Sequence, residues 1–117
     1  MAARLETLRK RAEFVAIYNS GKRWVSKYFI LQIRKKQEPV ENINAPTVRY
    51  GVTATKKIGN AVIRNRSKRR LRALAREYAD KLNPECEYVF VARTATPVCE
   101  FSDMKTEMEK ALKRLKV

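Results

Sequence analysis

The stretch VRYGVTATKKIGNAVIRNRSKRRLRALAREYA, residues 48–79, decides the fold because it joins a strand pattern directly to a helix pattern. Residues 48–55 alternate in character, which predicts a strand with one buried face. The buried face would carry Val48, Tyr50, Val52 and Ala54, and the other face Arg49, Gly51, Thr53 and Thr55. The strand leads directly into Lys56, at the start of a basic segment.

A long helix is predicted after Gly59, because Asn60 is a typical N-cap and the next Asn-Pro pair stands at residues 83–84. We therefore expect the helix to run from residue 61 to about residue 82. Its apolar stripe, which falls on one side at about 100° per residue, consists of Ile63, Leu71, Leu74 and Tyr78.

The charge of this segment is of one sign. No acidic residue occurs from residue 42 to residue 76, and nine of the 21 positions in 56–76 are Lys or Arg. Like charges four residues apart repel by a few tenths of a kcal/mol per pair, so a solvated helix normally mixes signs. The pattern therefore predicts a phosphate-binding surface. The predicted RNA-binding residues are Lys56, Lys57, Asn60, Arg64, Asn65, Arg66, Lys68, Arg69, Arg72 and Arg76.

The helical angles divide these side chains further. Asn65, Lys68, Arg69 and Arg72 lie opposite or nearly opposite the apolar stripe, and Arg64 and Arg66 lie at its edges. Arg70 flanks the stripe, and we expect it to make only nonspecific contacts. The free N–H groups at the start of the helix add a further preference for anions beside Lys56 and Lys57.

The remaining elements follow from shorter patterns. Residues 11–20 predict an amphipathic helix that ends at Gly21, and residues 24–34 predict a single strand. Residues 35–47 predict a surface connection, and residues 88–93 predict a short strand. A last helix, capped by Ser102, would bury Met104, Met108, Ala111, Leu112 and Leu115. The predicted order is α-β-β-α-β-α in one domain, residues 1–117.

The composition bounds the function. The chain of 117 residues has 27 Lys plus Arg, 12 Asp plus Glu and a formal charge of +15, so an anionic partner is expected, and nucleic acid is favoured. The absence of histidine excludes Ser/His, Cys/His and His-metal centres, and Cys86 and Cys99 fit neither a disulfide framework nor a zinc site. No apolar run suggests a membrane span or a secretory signal, so a cytoplasmic location is expected.

The run KKIGNAVIRNRSKRRLR, residues 56–72, resembles the RNR signature of the bacterial ribonuclease P protein subunit, the basic partner of a catalytic RNA that matures the 5′ end of tRNA. The similarity extends to the helix that ends at Gly21, the aromatic strand with Phe29, and the YGVTATKK and VFVAR strands. The resemblance implies an α+β fold, a two-layer α/β sandwich similar to a small-subunit ribosomal protein domain. It also implies a left-handed βαβ crossover, whereas general topology rules favour the right-handed form.

The resemblance implies two RNA surfaces. The signature helix and its lead-in would bind the catalytic RNA, and a cleft between the first helix and the sheet would hold the 5′ leader of precursor tRNA. Phe14, Tyr18 and Ile30 match the cleft positions of the family. With the neighbouring residues on the same predicted faces, the predicted cleft residues are Phe14, Tyr18, Tyr28, Ile30, Gln32, Arg49, Thr53 and Thr55. Gln32 departs from the family pattern, in which an aromatic residue is expected, although an amide can hydrogen-bond a base edge.

The residues themselves leave the second surface open between two interpretations. If Val25, Phe29, Leu31 and Ile33 face the core, then Trp24, Tyr28, Ile30 and Gln32 lie on the opposite face of the strand. Aromatic side chains there could stack bases, or the first helix could simply close a second core layer.

The resemblance implies that hydrolysis comes from the RNA subunit, with Mg²⁺ held mostly by RNA phosphates. No carboxylate cluster in the sequence resembles a two-metal site. Asp80, Glu85 and Glu87 are read as surface residues that aid solubility. A structural ribosomal protein that binds rRNA is the alternative, because charge and size fit it equally well. The sequence leaves the oligomeric state open.

Overall fold

The computed structural model describes residues 4–36 and 47–115, and a five-stranded mixed sheet lies at its centre. The strands are β1 (Arg4–Thr7), β2 (Lys22–Val25), β3 (Phe29–Lys35), β4 (Thr47–Thr53) and β5 (Cys86–Ala92). The helices are α1 (Arg11–Ser20), α2 (Ala61–Glu77) and α3 (Phe101–Leu115). In space the strands lie in the order β1-β4-β5-β3-β2, with β1, β4 and β5 parallel to one another and β3 antiparallel to both β5 and β2.

The main core lies between one face of the sheet and helices α2 and α3. As the alternation predicts, Val48 and Tyr50 of β4 are buried in this core, and Val52 and Ala54 pack against it. Helix α3 buries the predicted Met104, Met108, Ala111 and Leu115, and Leu112 is partly buried. This helix begins at Phe101, one residue before the predicted cap at Ser102.

Helix α1 has the predicted bounds and packs on the opposite face of the sheet. Ile17 of α1 is fully buried with Leu8 and Val89, and Phe14 and Val91 pack around these three residues. Helices therefore lie on both faces of the mixed α+β fold, and α1 adds a small third layer to the predicted sandwich.

The predicted strand over residues 24–34 is two strands joined by a tight hairpin. The Ser26 hydroxyl donates to the Phe29 carbonyl at 2.8 Å and accepts from the backbone N–H groups of Tyr28 and Phe29, both at 3.2 Å. In the resulting antiparallel register Trp24 lies opposite Leu31, so the two side chains share a face. Trp24 and Tyr28 therefore pack against the main core, and the prediction that they share a face with Ile30 is wrong.

Strands β4 and β5 are parallel neighbours joined through α2, which confirms a βαβ crossover. Its left hand stays a prediction from the family resemblance. Helix α2 ends at Glu77 rather than near residue 82, because a short 3-10 turn at Ala79–Lys81 follows it. Strand β1 was not predicted, and most of the predicted connection over residues 35–47 lies outside the described residues.

Candidate nucleic-acid interface

The basic helix begins in a fixed geometry. Gly59 has φ +146°, a conformation that L side chains rarely adopt, and a Cβ there would lie 2.9 Å from the Ile63 side chain. The Asn60 side chain accepts a hydrogen bond from the Ile63 N–H at 3.0 Å, which confirms the predicted N-cap. Arg64 donates to the Gly59 carbonyl at 3.0 Å, so this signature arginine also holds the turn in front of the helix.

The outer side of α2 and its lead-in present cations that the protein leaves unpaired. Lys56, Lys57, Arg66, Arg69 and Arg76 are exposed, and Lys68 and Arg72 are partly exposed. Within residues 4–36 and 47–115 no ion pair includes any of these seven cations. Asn65, between Arg64 and Arg66, is also exposed. Seven uncompensated positive charges on one surface give a strong attraction for a polyanion.

Arg70 has a structural role that its sequence position did not reveal. Its guanidinium donates to the Thr96 carbonyl at 2.9 Å and also to the Cys99 carbonyl. It thereby joins α2 to the loop between β5 and α3. The prediction of nonspecific contacts for Arg70 is wrong, because these bonds engage its guanidinium within the protein.

Helix α1 crosses the second face of the sheet and divides it. The Phe14 ring lies against Gly51 of β4, where an added Cβ would come within 2.4 Å of the ring. At the other end of α1, a Cβ on Gly21 would lie 2.5 Å from the Ile33 carbonyl oxygen, so both close approaches require glycine. Gly21 has φ −91°, and it ends the helix through its N–H, which donates to the Ile17 carbonyl.

One side of α1 holds a cluster of buried and half-buried charges. Glu87, which is 4% exposed, accepts from Arg34 at 2.7 Å and from Arg49 at 3.0 Å. Arg49 also donates to Glu13 of α1 at 2.6 Å, and Glu6 lies 3.7 Å from it. These contacts tie α1 to the sheet. Two predictions change as a result: Glu87 is buried rather than a surface residue, and Arg49 is engaged by carboxylates rather than free in the cleft.

The other side of α1 borders an open strip of the sheet. Angles along α1 place Phe14 and Tyr18 away from Glu13, towards this side, and Tyr18 is 56% exposed. The floor beside them consists of half-buried Thr53 and Ile30. Phe14, Tyr18, Ile30 and Thr53 therefore border this strip, the candidate cleft, and Thr55 is exposed just beyond the end of β4. The second core layer under Ile17 exists, which confirms that interpretation for part of this face, and base stacking beside it stays a prediction.

Two further predicted cleft residues, Gln32 and Tyr28, lie on opposite faces of the sheet. Gln32 lies on the cleft face of β3, opposite Val89 on one side and Arg23 on the other, and it is only 8% exposed. No described residue hydrogen-bonds to its side chain. Tyr28 instead packs against the main core, and its carbonyl accepts from the Thr96 hydroxyl. Tyr28 therefore does not line the cleft floor.

Sequence reasoning missed three residues of the cleft. Arg23 lies over the Tyr18 ring with its guanidinium carbon 4.7 Å from the ring centre. Val25 is 56% exposed and pairs with Ile30, which in turn pairs with half-buried Val91. Once the hairpin is recognised, the alternation of β2 could have placed Arg23 and Val25 on this face.

The cleft and the basic helix meet at one end of the sheet. The open strip contains Thr53, Val91 and Ile30, which stand where β4 and β5 end and β3 begins. The lead-in with Lys56 and Lys57 follows β4 directly at this end, and α2 starts from it. The candidate cleft therefore lies at the same end of the sheet as the start of the cationic surface.

The four groups with a shifted pKa are two cysteines and two tyrosines, and the shift makes each of them less reactive. Burial raises the pKa of the Cys86 thiol and that of the Cys99 thiol. Burial is also the main cause that raises the pKa of Tyr88 and of Tyr78 to about 12. All four groups therefore remain protonated and neutral at neutral pH. In the part of the chain that the structure describes, no helix is long and apolar enough to cross a membrane.

Comparisons with known proteins agree with these features. The family model described as Ribonuclease P matches residues 2–116. The ribonuclease P protein component of Shouchella clausii is 31% identical over 112 residues, covering 96% of this chain and 87% of the relative. That of Brucella suis is 39% identical over 108 residues, covering 90% and 76% of the two chains.

Solved structures show the same fold. The ribonuclease P protein of Thermotoga maritima matches with a TM-score of 0.74 and 26% identity, covering 93% of this chain and 96% of the other. That of Staphylococcus aureus matches with a TM-score of 0.73 and 25% identity, covering 95% of each chain. These relatives give no support to the alternative of a structural ribosomal protein. The chain belongs to the ribonuclease P protein family.

Proposed function

We propose that this chain acts in the cytoplasm as the subunit of ribonuclease P that binds the catalytic RNA and the 5′ leader of precursor tRNA. The observation that carries the proposal is the position of an unpaired cationic surface beside an open, partly apolar cleft at one end of the sheet. Phosphate contacts on α2 and its lead-in supply affinity. The cleft supplies the distinction between a tRNA with a single-stranded leader and one without it.

The cationic surface supports the first part of the proposal through its charge. Of the nine Lys and Arg residues in positions 56–76, Arg64 and Arg70 donate to backbone carbonyls and seven have no ion pair among the described residues. Each neutralised phosphate releases condensed counterions, so the logarithm of the binding constant falls by about 0.7 to 0.9 per contact for each tenfold rise in salt. Full engagement of the surface would therefore make binding strongly salt-dependent.

The cleft supports the second part through its chemistry. Tyr18 is exposed, and Arg23 beside it carries a positive charge next to the aromatic ring. An aromatic side chain that stacks a base contributes about 1–3 kcal/mol, and it does so only with bases that are unpaired. Val25, Ile30 and Val91 give the floor an apolar character that suits the faces of such bases.

Hydrolysis in this proposal belongs to the RNA subunit and the Mg²⁺ ions that it holds. The acidic residues that the structure describes are not arranged as a hydrolytic metal site. Glu87 and Glu13 are paired with arginines, and no group of three potential ligands occurs among the described residues. The protein therefore contributes binding and orientation, and no chemical step is assigned to its side chains.

The experiment is reconstitution of the protein with its RNA and measurement of precursor tRNA cleavage at low Mg²⁺. The double variant Arg69→Ala with Arg72→Ala should lose most of the stimulation by the protein. The control, Lys113→Ala with Arg114→Ala, removes the same charge from the exposed end of α3 and should retain it. Equal loss in both variants would show that overall charge, not this surface, is responsible.

The cleft is tested by comparing affinities of the holoenzyme for precursor and mature tRNA. Tyr18→Ala should reduce the affinity for precursor tRNA and leave that for mature tRNA unchanged. Val15→Ala alters the solvent-facing side of the same helix, where Val15 is 45% exposed, and should change neither. If Tyr18→Ala weakens both tRNA forms equally, the cleft does not bind the leader.

A further inference from the structure

Thr96, in the loop between β5 and α3, carries a hydroxyl group that is buried and hydrogen-bonded. The residue is 0% exposed, and its hydroxyl donates to the Tyr28 carbonyl at 2.5 Å and accepts from the Arg93 N–H at 2.8 Å. Tyr28 lies in the turn of the hairpin between β2 and β3. Removal of the hydroxyl would cost this carbonyl and this N–H one hydrogen bond each. The Thr96 side chain therefore fastens the loop to the hairpin turn.

The backbone of the same residue is attached to the basic helix. Arg70 of α2 donates to the Thr96 carbonyl at 2.9 Å, and it also donates to the Cys99 carbonyl. A further bond joins the loop to the hairpin, because the Arg93 guanidinium donates to the Ser26 carbonyl at 2.8 Å. Thr96 is thus bonded to α2 through its carbonyl and to the hairpin through its hydroxyl.

The hairpin depends on this attachment because β2 is a short strand at the edge of the sheet. It has four residues and stands last in the strand order, beside β3. Its register pairs Val25 with Ile30 on the side of the candidate cleft, and its Arg23 lies over the Tyr18 ring. Edge elements with few contacts open most readily. The turn that Thr96 holds follows Val25 directly, so Thr96 fixes part of the cleft border relative to α2.

We propose that Thr96 is a positioning residue whose hydroxyl holds the border of the candidate cleft in place relative to the cationic surface of α2, and that the preference of the holoenzyme for precursor tRNA depends on it. The inference rests on the proposed function, in which the catalytic RNA lies on α2 and the leader in the cleft. Thr96 is fully buried and touches neither RNA. Its effect arises because two surfaces of one protein bind two RNA segments together only when their spacing matches that of the segments.

The experiment compares the affinities of the reconstituted holoenzyme for precursor and mature tRNA in Thr96→Val and Thr96→Ser. Valine keeps the shape of threonine and removes the hydroxyl, so the ratio of the two affinities should fall about fivefold. Serine keeps the hydroxyl and should retain the wild-type ratio. The affinity for the catalytic RNA and its salt dependence should be the same in all three proteins, because the cationic side chains of α2 are unchanged.

Two further variants separate positioning from stability. Leu115→Ala truncates a buried side chain at the opposite end of α3 from the loop, so it lowers the unfolding midpoint without removing a hydrogen bond of the hairpin turn. Assayed below its midpoint, it should keep the wild-type ratio. Ser26→Ala loosens the turn from within, because the Ser26 hydroxyl donates to the Phe29 carbonyl. It should lower the ratio as Thr96→Val does, and it replaces that variant if valine prevents folding.

The outcomes distinguish the two proposals. A wild-type holoenzyme that binds precursor and mature tRNA equally overturns the leader-binding role, and the role of Thr96 with it. If wild type prefers precursor tRNA and Thr96→Val keeps that preference, or if Thr96→Val does not fold and Ser26→Ala keeps it, only the role of Thr96 is overturned. A lost preference in Thr96→Ser or Leu115→Ala, or a parallel loss of affinity for the catalytic RNA in Thr96→Val, would also overturn it.

Discussion

Arg69 and Arg70 are neighbours in the RNR segment, yet their replacement by methionine should have opposite consequences. Arg69 is exposed and has no ion pair among the described residues, whereas Arg70 donates to the carbonyls of Thr96 and Cys99. Methionine keeps an unbranched apolar side chain at both positions and removes only the charged, hydrogen-bonding head. Arg69→Met should therefore affect RNA binding, and Arg70→Met should affect the stability of the fold.

The magnitudes follow from the contacts. Each hydrogen bond to a charged group contributes about 1.5–3 kcal/mol, and Arg70 is partly exposed, so loss of both bonds should cost about 3 kcal/mol. In a domain of this size that corresponds to a fall of roughly 10–15 °C in the unfolding midpoint. Arg69→Met removes no hydrogen bond or ion pair to a described residue, so its effect on the free energy of unfolding should stay within about 0.5 kcal/mol.

Binding of the ribonuclease P RNA over a range of salt concentrations gives the second half of the comparison. Arg69→Met should reduce the slope of log K against log salt by about one, because one phosphate contact is lost. Arg70→Met should leave the slope close to that of wild type at a temperature where the variant is folded. Equal unfolding midpoints for the two variants, or an equal reduction in slope, would refute the division of roles.

Three further changes test other parts of the structure. Glu87→Gln leaves two arginines facing a neutral group and should lower the free energy of unfolding by about 3 kcal/mol in urea titrations. Glu85→Gln, at an exposed site, should change it by less than about 0.5 kcal/mol, and similar values for the two variants would show that the charge cluster does not stabilise the fold. Gly51→Ala displaces the Phe14 ring and should lower the preference of the holoenzyme for precursor tRNA without weakening its RNA assembly, and an unchanged preference would count against the cleft wall. Gly59→Ala strains the turn before α2 and should weaken RNA binding in titrations at fixed salt. Unchanged RNA binding by this variant would show that the geometry of the turn does not matter for the interface.

Helices and strands whose apolar pattern lies within one continuous segment could be predicted from the sequence. Helix α1 has the predicted bounds, and the two faces of β4 follow its alternation, because each pattern depends on the residues of one element. The start of α2 was equally readable from Gly59 and Asn60. Strand β1 escaped prediction because it is a four-residue edge strand in which three side chains are exposed, so it carries no apolar alternation.

The hairpin between β2 and β3 shows why part of the candidate site could not be predicted from the sequence. Its turn contains Ser26, Lys27 and Tyr28 and has none of the Gly, Asn or Pro residues that usually mark a hairpin. Backbone groups bonded to Ser26 hold the turn instead. Without the turn, continuous alternation assigns Trp24 and Tyr28 to the wrong face, and the same error conceals Arg23 beside the cleft.

Contacts between distant residues were beyond sequence reasoning for a different reason. Arg49 and Glu87 are direct partners across β4 and β5, and this register depends on how α2 returns the chain to the sheet. Glu13 joins them only because α1 crosses at the level of Gly51. Arg70 likewise finds its carbonyl partners in a loop 26 or more residues further along the chain. A charged residue therefore could be assigned to RNA or to the fold only after these contacts were known.

The charged residues on the second face of the sheet differ between the two sides of α1. On one side of α1, Glu6, Glu13 and Glu87 surround Arg34 and Arg49, so these two arginines are engaged within the protein. The other side opens towards Lys56 and Lys57, where α2 begins. Neither lysine has an ion pair among the described residues, so charge favours the approach of a polyanion at this end. Because Glu13 belongs to α1 and pairs with Arg49 of β4, the charge cluster also holds in place the helix that forms the wall of the candidate cleft.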